Sequence, residues 1–206
     1  MKAALINGSP RVGIDYEDVS ASQTLLTMSK RYLRKNHVHD YEEIHIKTGE
    51  LSEKLLETLM GCDMWLLAFP IYCGGIPAHL LRFLKSIEDA VHMSGSPDIL
   101  VAAMASGTLF EGVNCAPALS MIENWANAAE LRFTAGLGVG GGPVLALHGP
   151  YAGFRHWRSL GRAMSQFAEN AAGNGQPGFI FCSPNMRRRT MLLRLSRIFR
   201  RKWRAI

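Results

Sequence analysis

Three short segments of the sequence combine glycine, proline and small polar residues directly after an apolar run. They are residues 7–11, 70–77 and 106–112. Each pattern is typical of the loop that follows a buried strand. The carboxyl ends of parallel strands lie on one edge of an open sheet, and ligands bind there beside the point at which the strand order reverses. We therefore expect the three loops to line one crevice.

The first loop, Gly8-Ser9-Pro10-Arg11, carries groups that bind anions. It offers backbone N–H groups, a hydroxyl and a guanidinium just before a helix, whose N-terminus itself favours negative charge. Arg11 can bind phosphate through two parallel hydrogen bonds, and Ser22 and Thr24 would add hydroxyl donors at the start of the helix. An ordinary turn with an N-cap serine fits the same residues, so the pattern alone leaves both interpretations open. It is neither a Walker A loop nor a GxGxxG fingerprint.

The second loop reads Pro70-Ile71-Tyr72-Cys73-Gly74-Gly75-Ile76-Pro77. Its two adjacent glycines would let the backbone approach a flat ligand closely, and exposed N–H groups there can donate to the edge of an electron-rich heterocycle. Tyr72 either covers part of such a ring or packs against the helix that follows. The loop is therefore a candidate binding site for a planar cofactor.

Apolar runs alternate with stretches of helical spacing along the chain. Strands are expected at residues 2–6, 44–46, 64–69, 99–105 and 131–137, and helices from Ser22, from residues 51–53, from Pro77, over 115–129 and over 153–172. This alternation predicts an α/β domain whose parallel sheet carries helices on both faces. The glycine-rich run 138–143 is either a further ligand-facing loop or a flexible turn.

The positive charge of the chain is concentrated at its C-terminus. The formal net charge is +6, but residues 187–204 contain nine of the 23 Lys and Arg residues and no acid, which leaves 14 bases against 17 acids before them. A nucleic-acid-binding role for the body of the protein therefore loses its main support. The N-terminal segment turns polar too soon for a signal peptide, and no run of ~20 apolar residues predicts a membrane span. We expect a cytoplasmic protein.

The tail, residues 184–206, predicts a basic amphipathic helix beyond a domain formed by residues 1–183. Its apolar positions fall on one helical face: Leu192, Leu195, Phe199, Trp203 and Ile206. Such a helix docks on the domain or on a second subunit, or it binds an anionic membrane surface or an acidic partner through residues 187–206. Disorder is the remaining alternative.

Cysteine and histidine form no grouping typical of a metal site or of nucleophilic catalysis. The four cysteines, at positions 62, 73, 115 and 182, include no CxxC pair and have no histidine at ligand spacing. This argues against a zinc or iron–sulfur site held by a local motif and favours buried or partly buried thiols in a reducing compartment. His79 and His148 are candidates to face a substrate, although a structural or surface role is the commoner one for each.

The first two loop motifs together resemble those of the NADPH-dependent FMN reductase family. The resemblance rests on an N-terminal strand followed by GSPR, and on PIYxxxxP leading into an amphipathic helix that carries Leu84-Lys85; it covers roughly residues 1–145. It implies a flavodoxin-like, doubly wound, five-stranded parallel sheet with FMN bound at the carboxyl ends of the strands. It also implies hydride transfer from NADPH or NADH to a flavin, a quinone or a similar small acceptor. The flavin carries the hydride, so no catalytic side chain is implied.

By matching position, the resemblance assigns three sets of cofactor-binding residues. Ser9, Pro10, Arg11 and Ser22 would hold the FMN phosphate; Pro70, Ile71, Tyr72, Cys73, Gly74 and Gly75 would line the isoalloxazine; and Ser106, Gly107 and Thr108 would form a third wall. Related proteins often complete the flavin site across a subunit interface, which implies a homodimer or homotetramer.

Two features depart from the family pattern. Residues 12–21 lengthen the first loop and add Asp15, Glu17 and Asp18, which we expect to face solvent because they would repel a phosphate. The compact cysteine motif of related iron–sulfur flavoproteins is missing, so we expect FMN without a cluster.

Two other classes of function fit the sequence less well. A flavodoxin-type electron carrier binds FMN without reacting directly with NAD(P)H, but an arginine-rich tail does not suit such a carrier. The third reading is a non-enzymatic module whose flavin pocket has decayed and whose basic helix recruits it to a membrane or a partner.

Overall fold

The computed structural model describes residues 1–10, 20–95, 97–148 and 158–183 of the chain. The predictions for Arg11, for the three acids of the first loop and for the tail, residues 184–206, lie outside these ranges. Within them, no helix is both long enough and apolar enough to cross a bilayer.

Six strands form the sheet at the centre of the fold. They are β1 (Lys2–Asn7), β2 (Asp40–His45), β3 (Met64–Pro70), β4 (Leu100–Ser106), β5 (Arg132–Val139) and β6 (Gly178–Cys182). Their order is β2-β1-β3-β4-β5-β6, and every neighbouring pair is parallel. The predicted doubly wound parallel sheet is confirmed, with one strand more than the five expected.

The differences from the predicted strands lie at the two edges of the sheet. β2 begins four residues before the predicted 44–46 because its earlier positions are polar and largely exposed; one of them, Glu42, forms a 2.9 Å ion pair with Lys2 on β1. β6 has only five residues, of which Phe179 packs edge-on against Phe133 of β5. Edge strands have one neighbour and bury less surface, so their apolar pattern is weak.

Six α-helices cover the two faces of the sheet in the described residues. They are α1 (Ala21–Leu33), α2 (Glu53–Met60), α3 (Ala78–Ser94), α4 (Ala116–Ala128), α5 (Gly142–His148) and α6 (Arg158–Ala171). Leu25, Leu145 and Phe167 from α1, α5 and α6 belong to the core of one face. Leu59, Phe83 and Leu119 from α2, α3 and α4 belong to the core of the other face. This two-sided packing is the arrangement that a parallel sheet requires.

Local sequence explains where the helices begin. The side chains of Ser20 and Ser52 cap α1 and α2 by accepting the N–H groups of Gln23 and Leu55. Pro77 was expected in the first turn of its helix, but it is the residue just before α3, with φ −61° and ψ 139°. The fixed φ of proline suits either position.

Candidate functional site

The strand order places the three predicted loops side by side. β1, β3 and β4 are adjacent in the sheet, so their carboxyl ends share one edge. There the N–H of Gly8 donates to the carbonyl of Ala68 at 2.8 Å, and the N–H of Ile71 donates to the carbonyl of Ser106 at 3.0 Å. The strand order reverses between β1 and β3, which is where open α/β sheets bind ligands. The described parts of the loops therefore meet at that position.

Asn7, at the end of β1, organises the first loop. Only 5% of its surface is exposed. Its Oδ1 accepts the N–H of Ser9 at 3.0 Å, and its Nδ2 donates to Oε1 of Gln23 at 2.9 Å. The N–H groups of Gly8 and Ser9 are therefore both occupied within the protein, and Pro10 has none. The prediction that backbone N–H groups of this loop bind an anion is wrong for these residues, and side chains and the start of α1 remain as donors.

The first turns of α1 contain buried hydroxyl groups that fit an anionic ligand. Ser22 and Thr24 are both 1% exposed, and their hydroxyl oxygens have no hydrogen-bond partner among the described residues. Leaving a buried hydroxyl unpaired costs about 1–3 kcal/mol. Residues two apart lie on different sides of a helix, so a single ligand oxygen does not serve both. Ser22 lies in the first turn, beside backbone N–H groups that have no partner within the helix, and is the better placed for a phosphate.

The second loop contains a tight turn that presents its backbone outward. Tyr72 and Gly75 exchange both backbone hydrogen bonds, at 3.0 and 2.9 Å. Between them, Cys73 and Gly74 have φ values of 50° and 82°. Positive φ at both central residues defines a type I′ turn, which explains the glycine at position 74. Tyr72 is 50% exposed, so its ring is not packed away against α3, and it remains available to cover a ligand.

The third loop contacts the second. Ser106 and Gly107 are buried and Thr108 is exposed. A Cβ atom on Gly107 would lie 3.3 Å from Cδ1 of Ile71, so this glycine lets the two loops pack closely. The structure thus brings the residues predicted around the isoalloxazine to one place.

The glycine-rich run 138–143 is an ordered junction between β5 and α5. The N–H groups of Gly141 and Gly142 donate to the carbonyls of Leu109 and Gly107, at 2.6 and 2.7 Å. A Cβ atom on Gly140 would lie 2.0 Å from the carbonyl oxygen of Phe110. The run is therefore not a flexible turn, and its glycines are explained by backbone-to-backbone packing against the third loop.

The thiol groups differ sharply in their surroundings. Cys62, Cys115 and Cys182 are buried and Cys73 is exposed. Burial raises the pKa of Cys115 to about 11, although weak hydrogen bonds from its surroundings oppose the shift. The buried thiols are therefore neutral and unreactive near pH 7.

Sequence reasoning missed three residues that shape the site. Asn7, Gln23 and His45 fix the ends of the first loop through hydrogen bonds that span many residues; the one from Nε2 of His45 to the carbonyl oxygen of Ser9 is 2.8 Å long. Asn7 carried a signal, because asparagine directly before a glycine-rich loop commonly accepts an N–H two residues on. His45 carried none, because its partner lies 36 residues away.

The fold and the position of the loops define a class. A doubly wound parallel sheet whose ligand-binding loops follow β1, β3 and β4 is a flavodoxin-like domain. The sequence model of the NADPH-dependent FMN reductase family matches residues 1–133, which is more than half of the chain. The chain belongs to this family, and its function is that of an FMN-dependent NAD(P)H oxidoreductase.

Solved structures share the fold at low sequence identity. An NADH:FMN oxidoreductase in its apo form has a TM-score of 0.59 and 14% identity, over 82% of this chain and 87% of that chain. An NADPH-quinone reductase from P. pentosaceus has a TM-score of 0.55 and 14% identity, over 83% and 98%. A WrbA-like flavodoxin from Agrobacterium tumefaciens has a TM-score of 0.52 and 12% identity, over 85% and 100%. A search of curated proteins gave no significant match.

Proposed function

We propose that the chain binds FMN at the edge of the sheet formed by the ends of β1, β3 and β4. The proposed contacts are Ser9, Pro10, Arg11 and Ser22 for the phosphate; Pro70, Ile71, Tyr72, Cys73, Gly74 and Gly75 for the isoalloxazine; and Ser106, Gly107 and Thr108 for the third wall. The observation that carries the proposal is the buried hydroxyl of Ser22, which has no partner in the described part of the chain. It lies at the start of α1, next to the point where the strand order reverses.

Each loop has a distinct task in this site. The Ser22 hydroxyl and the N-terminus of α1 bind the phosphate, which favours a doubly charged ligand over a neutral one. The type I′ turn holds the backbone of Tyr72 and Gly75 in place before any ligand arrives, so little order has to be gained on binding. Close packing between Ile71 and Gly107 keeps water out from behind the ring.

The reaction asks little of the side chains. Bound FMN supplies the chemistry, in which its N5 accepts a hydride from NADPH or NADH and passes the reducing equivalents to a second substrate. The protein holds the flavin with one face open, and the half-exposed Tyr72 borders that opening. A free flavin or a quinone fits such an opening, in keeping with the activities in the titles of the two reductases compared above.

The remaining expectations concern the setting of the enzyme. We propose a cytoplasmic homodimer or homotetramer, in which a second subunit completes the flavin site. We also propose that the basic tail, residues 184–206, is separate from the domain of residues 1–183 and docks on the domain or on a second subunit. Contact of residues 187–206 with an anionic membrane surface or an acidic partner is the alternative.

A visible-absorbance titration tests the proposed function directly. The purified full-length protein is titrated with FMN and then mixed with NADPH, and separately with NADH, under anaerobic conditions. Flavin bands that shift on binding and then bleach are the expected result. Bound flavin that neither nucleotide bleaches would indicate an electron carrier instead, and a protein that never holds flavin would contradict the proposal.

A further inference from the structure

Two histidines from different elements contact consecutive peptide groups of the first loop. His45, the last residue of β2, has its Nε2 2.8 Å from the carbonyl oxygen of Ser9. A carbonyl can only accept, so Nε2 carries the proton. His79, in the first turn of α3, forms a hydrogen bond with the backbone of Gly8. The N–H of Gly8 is already given to Ala68, so the carbonyl oxygen of Gly8 is the acceptor.

The two imidazoles use different ring nitrogens. Nε2 of His79 is buried and has no partner in the described part of the chain, so its bond to Gly8 comes from Nδ1. His79 is held in place by its surroundings, because a Cβ atom on Gly49, in the loop after β2, would lie 3.0 Å from the backbone oxygen of His79. The donors are therefore Nε2–H of His45 and Nδ1–H of His79.

The carbonyls of Gly8 and Ser9 are bound on the side of the loop away from α1. His79 belongs to α3, and α1 and α3 pack on opposite faces of the sheet. His45 ends the edge strand β2, on the far side of β1 from β3. A carbonyl oxygen carries partial negative charge and repels a phosphate, so a loop that binds an anion has to turn its carbonyls away from it. Ser9 is 2% exposed, so without these donors its carbonyl would be buried and unpaired.

We propose that His45 and His79 are positioning residues of the phosphate loop, which hold the carbonyls of Ser9 and Gly8 turned away from the bound anion. The inference rests on the proposed FMN site and adds to it the residues that shape its phosphate end. Neither histidine touches the ligand. Each acts through the backbone of the loop, and each acts through one particular ring nitrogen.

The test exchanges each histidine for the two amides. The side-chain nitrogen of glutamine reaches the place of Nε2, and that of asparagine reaches the place of Nδ1. His45→Gln and His79→Asn should therefore retain the bonds, whereas His45→Asn and His79→Gln should lose them. Dissociation constants for FMN and for riboflavin are measured by quenching of flavin fluorescence. Riboflavin lacks the phosphate, so its affinity reports on the rest of the site.

The expected result is a change in the ratio of the two affinities. His45→Asn and His79→Gln should weaken FMN binding about fivefold or more and leave riboflavin binding within about twofold, while His45→Gln and His79→Asn stay close to the unmodified protein. His92→Asn is the matched control, because Nε2 of His92 contacts the carbonyl of Ala128 at 3.0 Å, far along α3 from the site. It should change neither affinity.

Two outcomes would overturn the inference and one would reach further. Equal effects of asparagine and glutamine at both positions, or parallel losses of FMN and riboflavin, would show that the histidines do not position the phosphate loop. Failure of the unmodified protein to bind FMN at all would instead overturn the proposed function, and the inference with it.

Discussion

Nδ2 of Asn7 donates a 2.9 Å hydrogen bond to Oε1 of Gln23, across 16 residues of sequence. The bond joins the end of β1 to the first turn of α1 and so fixes both ends of the first loop. A long loop, such as residues 8–20 here, can then vary in length without moving the residues at its ends. This answers the concern that an extended first loop would displace Ser22 from the site.

We expect the side chains of Asn7 and Gln23 to be energetically coupled. In a double-mutant cycle of Asn7→Ala and Gln23→Ala, measured by urea unfolding, the coupling should be about 0.5–1.5 kcal/mol, the value of a typical hydrogen bond. Pairing Asn7→Ala with Asn36→Ala provides the control, since Asn36 bonds to Tyr32 at the far end of α1. That pair should be additive within about 0.5 kcal/mol, and the same additivity for Asn7 and Gln23 would contradict the prediction.

Ser22→Ala should weaken FMN binding without destabilising the free protein. The hydroxyl of Ser22 is buried without a partner, so removing it should leave the free energy of unfolding unchanged or raise it by up to about 1 kcal/mol. Ser29→Ala is the matched control on the same helix, because its buried hydroxyl donates to the carbonyl of Leu26 at 2.8 Å. Ser29→Ala should lower stability by about 1 kcal/mol and leave FMN affinity alone. A stability loss at position 22 equal to that at position 29 would count against a free hydroxyl there.

The stability of the FMN-free protein should fall as pH drops below about 6.5, in part because of His79. Burial lowers the pKa of His79, nearby Arg82 and His45 lower it further, and the bond to Gly8 opposes them. Below the unfolded value of about 6.5 the unfolded chain binds a proton that folded His79 does not, so acid favours unfolding until the folded pKa is passed. His79→Asn should reduce the slope of unfolding free energy between pH 7 and 5. An unchanged slope would place the pH dependence elsewhere.

Iodoacetamide at pH 8 should alkylate Cys73 first. Cys73 is exposed, whereas Cys115 and Cys182 are buried, and burial raises the pKa of both. Bound FMN should slow the reaction of Cys73 several-fold, because the turn that carries it lies in the proposed isoalloxazine contact. Peptide mass spectrometry with and without FMN measures both effects, and Cys73→Ser should abolish the early label. Unchanged protection on adding saturating FMN would remove Cys73 from the site.

Gly140→Ala should destabilise the fold severely. Its Cβ atom would lie 2.0 Å from the carbonyl oxygen of Phe110, which belongs to the backbone and cannot yield without moving the third loop. We expect a loss of more than about 3 kcal/mol in the free energy of unfolding, as for other severe steric conflicts. At Gly61, where the nearest atom is 3.4 Å away and φ is −81°, alanine should change stability by less than about 1 kcal/mol. Comparable values for the two substitutions would contradict this packing.

The central part of the fold was accessible from the sequence. β3 and β4 are buried on both faces, so each reads as an unbroken apolar run that ends at a proline or a small polar residue. β2 and β6 were misplaced or missed because an edge strand buries too little surface to leave a clear pattern. The resemblance placed the loop residues, but it could not show which of their polar groups are already paired.

The sequence by itself determined the alternation of strands and helices, the family, and the three loops at one edge of the sheet, because each of these follows from local composition and spacing. Only the tertiary structure decided what the groups in those loops do. The N–H groups of Gly8 and Ser9 are occupied, and His45 and His79 bind the carbonyls of Ser9 and Gly8. Hydrogen bonds between residues tens of positions apart depend on strand order and helix placement, and no local pattern encodes them.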